Sequence, residues 1–130
     1  MSESAAETFG LSQIGQIAVP VSDIERAILF YRDTLGMRFL FQAPPGLAFF
    51  DLSGVRLMLD DPAKAQAGSS SVIYYKVADL QTAFTTLSKR GVQFEAKPHL
   101  IAKMPDHDLW MAFFRDPDKN LIALMSEMKH

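Results

Sequence analysis

Cysteine is absent from the 130 residues. That excludes disulfides, thiol catalysis and every Cys-ligated metal centre, and it fits a reducing compartment. Neither sign of charge dominates: 13 Lys and Arg face 15 Asp and Glu, a formal net charge of −2 with no run of either sign. No electrostatic footprint for nucleic acid or an anionic membrane is therefore expected. No apolar run approaches the ~20 residues of a membrane span. The start, Met1-Ser2-Glu3-Ser4, lacks the basic and apolar regions of a signal peptide, so the expected location is cytoplasmic. A Gly-rich phosphate loop, a nucleophile elbow and paired catalytic carboxylates are also missing, which leaves phosphoryl transfer, serine hydrolysis and glycoside hydrolysis unsupported. What is present is 48% hydrophobic residues with ten Phe, the composition of an ordinary globular domain.

The chain repeats itself. Val21-Ser22-Asp23-Ile24, with Ala27, Gly36 and Phe39, is echoed in the same order by Val77-Ala78-Asp79-Leu80, Ala83, Gly91 and Phe94. Ala48-Phe49-Phe50 is likewise echoed by Ala112-Phe113-Phe114. A repeat of this length marks duplicated supersecondary units. The expected organisation is a tail at 1–10 and a single domain at 11–127. That domain consists of modules 11–60 and 72–127, joined by the small, polar linker 61–71.

Within each half the periodicity switches from two to 3.6 and back. In the first, β-branched residues 14–21 read as a strand, and Ser22 with Glu25 forms a capping box. Ile24, Ala27, Ile28, Tyr31 and Leu35 then make one apolar helical face ending at Gly36, and 37–42, 47–52 and 55–60 read as strands. The second half predicts a strand at 72–77, a helix at 79–90 and strands at 92–98, 109–115 and 120–126. Tyr31 and Tyr75 fall on core positions. The fold class is α+β, two tandem βαβββ modules forming an open, cupped mixed sheet. One helix covers only one face of a four-stranded sheet, so the other must meet the second module or a partner chain. Small ligands bind in clefts of that kind.

The segments Ile17-Ala18-Val19-Pro20-Val21-Ser22-Asp23-Ile24, Phe30-Tyr31-Arg32-Asp33-Thr34-Leu35-Gly36, Arg90-Gly91-Val92 and Phe114-Arg115-Asp116-Pro117-Asp118-Lys119-Asn120-Leu121 together resemble the vicinal oxygen chelate superfamily. This superfamily is also called the glyoxalase, bleomycin-resistance protein and extradiol dioxygenase superfamily. The resemblance implies paired βαβββ modules, a homodimer and, in many members, a divalent metal held by strand residues of both modules. It does not fix a reaction, because members isomerise, open rings, transfer thiols or sequester drugs. The positions matching the family's metal ligands are Gln16, Met58, Val72 and Ala123. One amide, one thioether and two alkyl groups cannot hold a divalent ion, so no metal or other cofactor is expected. Lys119 stands where the family carries glycine, which predicts that Asn120 takes the strained backbone.

With Gln16 facing the cleft, alternation places Arg56, Met58, Tyr74 and Lys76 on the same side as Val72 and Ala123. The expected function is binding of a small organic molecule in an apolar cleft. Gln16, Arg56, Tyr74 and Lys76 would orient it, while Met58, Val72 and Trp110 exclude water. The alternative is a metal-dependent lyase, isomerase or dioxygenase using His99, His107 and a neighbouring Asp. In that reading His107, set between Asp106 and Asp108, is the candidate general base. The same segment also reads as a hydrated hairpin tip.

Overall fold

The computed structural model describes residues 14, 16–61 and 71–129. The expected tail and nearly all of the expected linker lie outside the described residues. The order is β1 (Gln16–Pro20), α1 (Ile24–Ile28, continuing as a π-helical stretch Leu29–Thr34), β2 (Arg38–Ala43), β3 (Leu47–Leu52), β4 (Val55–Asp60), β5 (Ile73–Lys76), α2 (Leu80–Lys89), β6 (His99–Lys103), β7 (His107–Arg115) and β8 (Leu121–Lys129). The strands form two four-stranded sheets, β1-β4-β3-β2 and β5-β8-β7-β6, so the two halves share one topology. In each, the first strand pairs in parallel with the last and the remaining pairs are antiparallel. This is the expected duplicated α+β plan. Among the described residues no helix is long and apolar enough to cross a membrane.

Alternation along the strands splits each sheet into a helix-covered face and an open one. On the covered faces, Val19, Phe50, Leu57 and Leu59 of the first sheet and Phe114, Ile122 and Leu124 of the second join Ala27, Ile28, Tyr31, Leu80 and Leu87 of the helices in one continuous core. Phe50 and Phe114 are fully buried, each contributing about 1.5–3 kcal/mol through removal of apolar surface from water. Phe30 lies against Phe114 across the module boundary, with ring centroids 6.5 Å apart, so the core belongs to both halves.

Polar contacts reinforce that joint. The turn at 116–120 clasps the β1–α1 junction: Asp118 accepts from the amide of Ser22 at 2.7 Å, from its hydroxyl and from Arg26 at 3.1 Å, while Asn120 donates to the carbonyl of Pro20 at 2.9 Å. Buried Asp116 takes the hydroxyl of Tyr31 at 2.7 Å and the amides of Asp118 and Asn120.

Four local expectations are corrected. The N-cap of α1 is Asp23, accepting from the amide of Arg26 at 3.1 Å; Ser22 is drawn away to Asp118. The left-handed residue of the last turn is Lys119 itself, at φ 67°, and not Asn120. The predicted strand at 92–98 is reduced to an isolated bridge between Phe94 and Phe114, and the edge strand begins only at His99, after Pro98. Strand β7 starts at His107, two residues ahead of the predicted strand 109–115, so His107 and Asp108 of the predicted hairpin tip are extended structure.

Candidate functional site

The open face of the first sheet is built from alternating residues of four strands. Gln16 and Ala18 come from β1, Arg56 and Met58 from β4, Phe49 and Asp51 from β3, Phe41 and Arg38 from β2. The register aligns Ala18 with Met58, Met58 with Phe49 and Phe49 with Phe41. Gln16 directs its amide at the sulfur of Met58, 3.7 Å away. The rings of Phe41 and Phe49 stack with centroids 4.8 Å apart, and the guanidinium of Arg56 lies over Phe49 at 5.4 Å from its centroid. Arg38 is paired with Asp51 at 3.8 Å.

The second sheet offers the equivalent face. Tyr74 and Lys76 of β5, Ala123 and Met125 of β8, Phe113 and Met111 of β7 and His99 of β6 share it, with Tyr74 aligned to Ala123 and Ala123 to Phe113. Tyr74 meets Phe113 edge to face at 6.4 Å, and His99 lies 6.4 Å from the same ring on its other side of the ladder. Lys76 reaches Glu127 at 3.7 Å. Ala123 is fully buried beneath these neighbours, whereas Tyr74 and Val72 are exposed. Gln16, Arg56 and Met58 of the first sheet and Tyr74, Lys76 and Ala123 of the second thus share the faces that alternation predicted, while Val72 precedes β5 outside the paired strands. The contacts just described run within one sheet or the other.

Trp110 does not belong to this set. It shares the covered face with Ala112 and Phe114, packs against the core and lines a separate hollow of about 270 Å³ with Leu80, Pro98 and Met128. The two histidines are not brought together either. The register pairs His99 with Met111, four residues along β7 from His107, a separation of roughly 13 Å at strand rise. His107 sits at the tip of the β6–β7 hairpin, its Nδ1 2.8 Å from Asp106; this bond holds the exposed Asp106 carboxyl below the usual range. Among the described residues no group of three or more His, Asp or Glu is placed to hold a metal.

The residues at the positions implied for a metal do not fit one. Gln16 and Met58 are neighbours on the first open face and Ala123 on the second, with Val72 next to β5. This set supplies one neutral amide oxygen where a divalent cation needs several oxygen or imidazole donors.

Sequence reasoning missed Phe41, whose face is set by a bulge between Phe39 and Phe41 that strict alternation does not foresee. It also missed a cavity of about 490 Å³ on the covered side of the second sheet, lined by Leu35, Met37, Leu52, Val77, Leu87 and Arg90 among others. None of the predicted cleft residues lines it. Tyr75 also lines it; among the described residues its buried hydroxyl has no hydrogen-bond partner, and burial, with the charge of Asp116, pushes its pKa up to about 12.

Residues 13–124 match the family model of the Glyoxalase/Bleomycin resistance protein/Dioxygenase superfamily. The chain is 29% identical over 126 residues to the uncharacterized protein YraH of Bacillus subtilis, covering 84% of this chain and 94% of that one. A lactoylglutathione lyase from Agrobacterium tumefaciens has the same fold, with a TM-score of 0.76 at 21% identity over 90% of this chain and 95% of the other. An antibiotic binding protein from a Streptomyces species superposes with a TM-score of 0.73 at 26% identity, over 92% and 98% of the two chains.

Proposed function

The chain belongs to the glyoxalase, bleomycin-resistance protein and dioxygenase superfamily, and from that premise we propose that it binds a small organic molecule between its open sheet faces without the divalent metal used elsewhere in the family. One observation carries this reading. Where a metal would need oxygen or nitrogen donors, Gln16 stands against the thioether of Met58, and the matching positions of the second module are Val72 and Ala123. Burial against Met58, Phe49, Met125 and Phe113 supplies the affinity, at about 25 cal/mol per Å² of apolar surface removed from water. Gln16, Arg56, Tyr74 and Lys76 orient the guest. A homodimer provides the cover, setting the open face of one module against the other in a shared cup. The Streptomyces protein, which binds an antibiotic on the same fold, supports binding as a sufficient role.

Native mass spectrometry tests the proposal. The protein is incubated with manganese, iron, nickel and zinc salts, desalted and measured. The expected spectrum is a metal-free dimer that retains or takes up small organic masses. One tightly held divalent metal per subunit would overturn the reading and favour a metal-dependent lyase, isomerase or dioxygenase.

A further inference from the structure

The basic side chains of the open faces are not equivalent. Arg38 has Asp51 at 3.8 Å, Lys76 has Glu127 at 3.7 Å and Arg115 has Glu95 at 2.8 Å. For Arg56, among the described residues, no carboxylate lies within ion-pair distance. Its cross-strand neighbour Asp51 is already held by Arg38 and by the amide of Gly54 at 3.1 Å. Its guanidinium instead lies over the ring of Phe49. A stacked guanidinium is pre-oriented, because the ring fixes its plane while its N–H edge stays open to a planar anion.

Aromatic surface surrounds that cation and recurs on the second module. Phe49 and Phe113 are counterparts in the repeat, each aligned with a position that the family resemblance implies for a metal, Met58 and Ala123. Each is flanked by a ring with substantial free surface, Phe41 at 45% exposure and Tyr74 at 49%. Aromatic pairs prefer tilted or edge-to-face contacts, so an inserted ring finds partners on either module. The repeat therefore carries two aromatic platforms, one beside Met58 and one beside Ala123.

We propose that the ligand is an aromatic acid whose ring rests on the Phe41–Phe49 and Tyr74–Phe113 clusters and whose anionic group bonds the guanidinium of Arg56. This rests on the apolar-cleft reading and narrows it to one chemical class. The test compares three probes of one shape: naphthalene carboxylate, its neutral carboxamide, and the saturated decalin carboxylate. Affinities are measured by calorimetry on the full chain, and the contact surface is located from amide chemical shifts. The expected result is that naphthalene carboxylate binds about tenfold more tightly than either relative, a step typical of one charge-assisted or one aromatic contact. In Arg56→Gln the advantage over the carboxamide disappears, and in Tyr74→Leu the advantage over the decalin acid shrinks; circular dichroism confirms that both variants fold. Equal affinities for all three probes, with shifts on the open faces, would sink the aromatic-acid assignment and leave the apolar cleft standing. A carboxylate preference that survives Arg56→Gln would overturn the role of Arg56. Shifts on neither open face with any probe would overturn both readings.

Discussion

The hydroxyl of Tyr31 donates to Oδ2 of Asp116 at 2.7 Å, and so joins the helix of the first module to the last turn of the second. Both groups are buried, and both lie in the segments that most resemble the family, Phe30–Gly36 and Phe114–Leu121. Those segments meet in an inter-module joint on the covered side of the sheets. The open faces that form the candidate site are built from other residues.

Removing the Tyr31 hydroxyl leaves Asp116 a buried carboxylate with one donor fewer, though Asn120 still donates to the same oxygen at 2.8 Å. Tyr31→Phe is expected to cost about 1–3 kcal/mol in urea unfolding while leaving ligand affinity unchanged. A loss of affinity equal to the loss of stability would show that the joint and the site are coupled.

Alkaline pH weakens the same joint. Burial, followed by the charge of Asp116, raises the pKa of Tyr31 far above that of a free phenol, and Tyr75 is pushed up to about 12 for the same two reasons. A raised folded pKa means that the stabilising contribution is complete below the unfolded value of about 10 and is lost as pH rises beyond it. Stability should fall above pH ~10 by up to about 1.4 kcal/mol per pH unit for each of the two tyrosines. Urea midpoints measured through this range should decline less steeply in Tyr31→Phe than in the parent chain.

Asp118 is the second link of the clasp, accepting from Ser22 and from Arg26. Asp118→Ala should destabilise by about 1–3 kcal/mol, because the Ser22 amide loses its acceptor. Arg26→Met, which removes a half-exposed ion pair and an exposed hydrogen bond to the Ser22 hydroxyl at 3.0 Å, should cost less than about 1 kcal/mol. Thermal unfolding of the two variants gives the comparison, and equal losses would assign the clasp to the ion pair.

Lys119 adopts φ 67° in that turn, a conformation glycine takes without a Cβ penalty. Its amide donates to the carbonyl of Asp116 and its own carbonyl accepts from Arg115, and glycine preserves both. Lys119→Gly is therefore expected to stabilise by about 0.5–1 kcal/mol, the relief of strain exceeding the added entropy of the unfolded chain. An unchanged melting temperature would show that the turn carries no strain.

Much of this architecture was legible because it rests on periodicity. Strands 47–52 and 55–60 occur at the predicted bounds, and Tyr31 is buried where helical spacing placed it. Two of the errors share a cause: each involves a partner distant in sequence. Ser22 looks like a cap until Asp118 claims it from 96 residues away. Trp110 reads as a cleft residue until pairing with Leu100 and Ser126 puts it on the covered face. The face positions of Gln16, Arg56, Tyr74 and Lys76 followed from alternation alone. The pairings that distinguish Lys76 from Arg56 required knowing that Glu127 lies within ion-pair distance of one, whereas Asp51 beside the other is held by Arg38.

The clasp also has a temporal meaning for the chain as it is made. Tyr31 and Asp116 are 85 residues apart, and Pro20 and Asn120 are 100 apart. A ribosome working from the N-terminus must release almost the whole domain before either bond can close. Until then the first half presents Phe30 without Phe114, the second-half ring that lies against it. Non-local closure of this kind is slow and leaves apolar surface open to aggregation or chaperone capture in the interval. Variants that weaken the clasp are thus expected to lower the yield of soluble protein in growing cells more than their equilibrium stability alone would suggest.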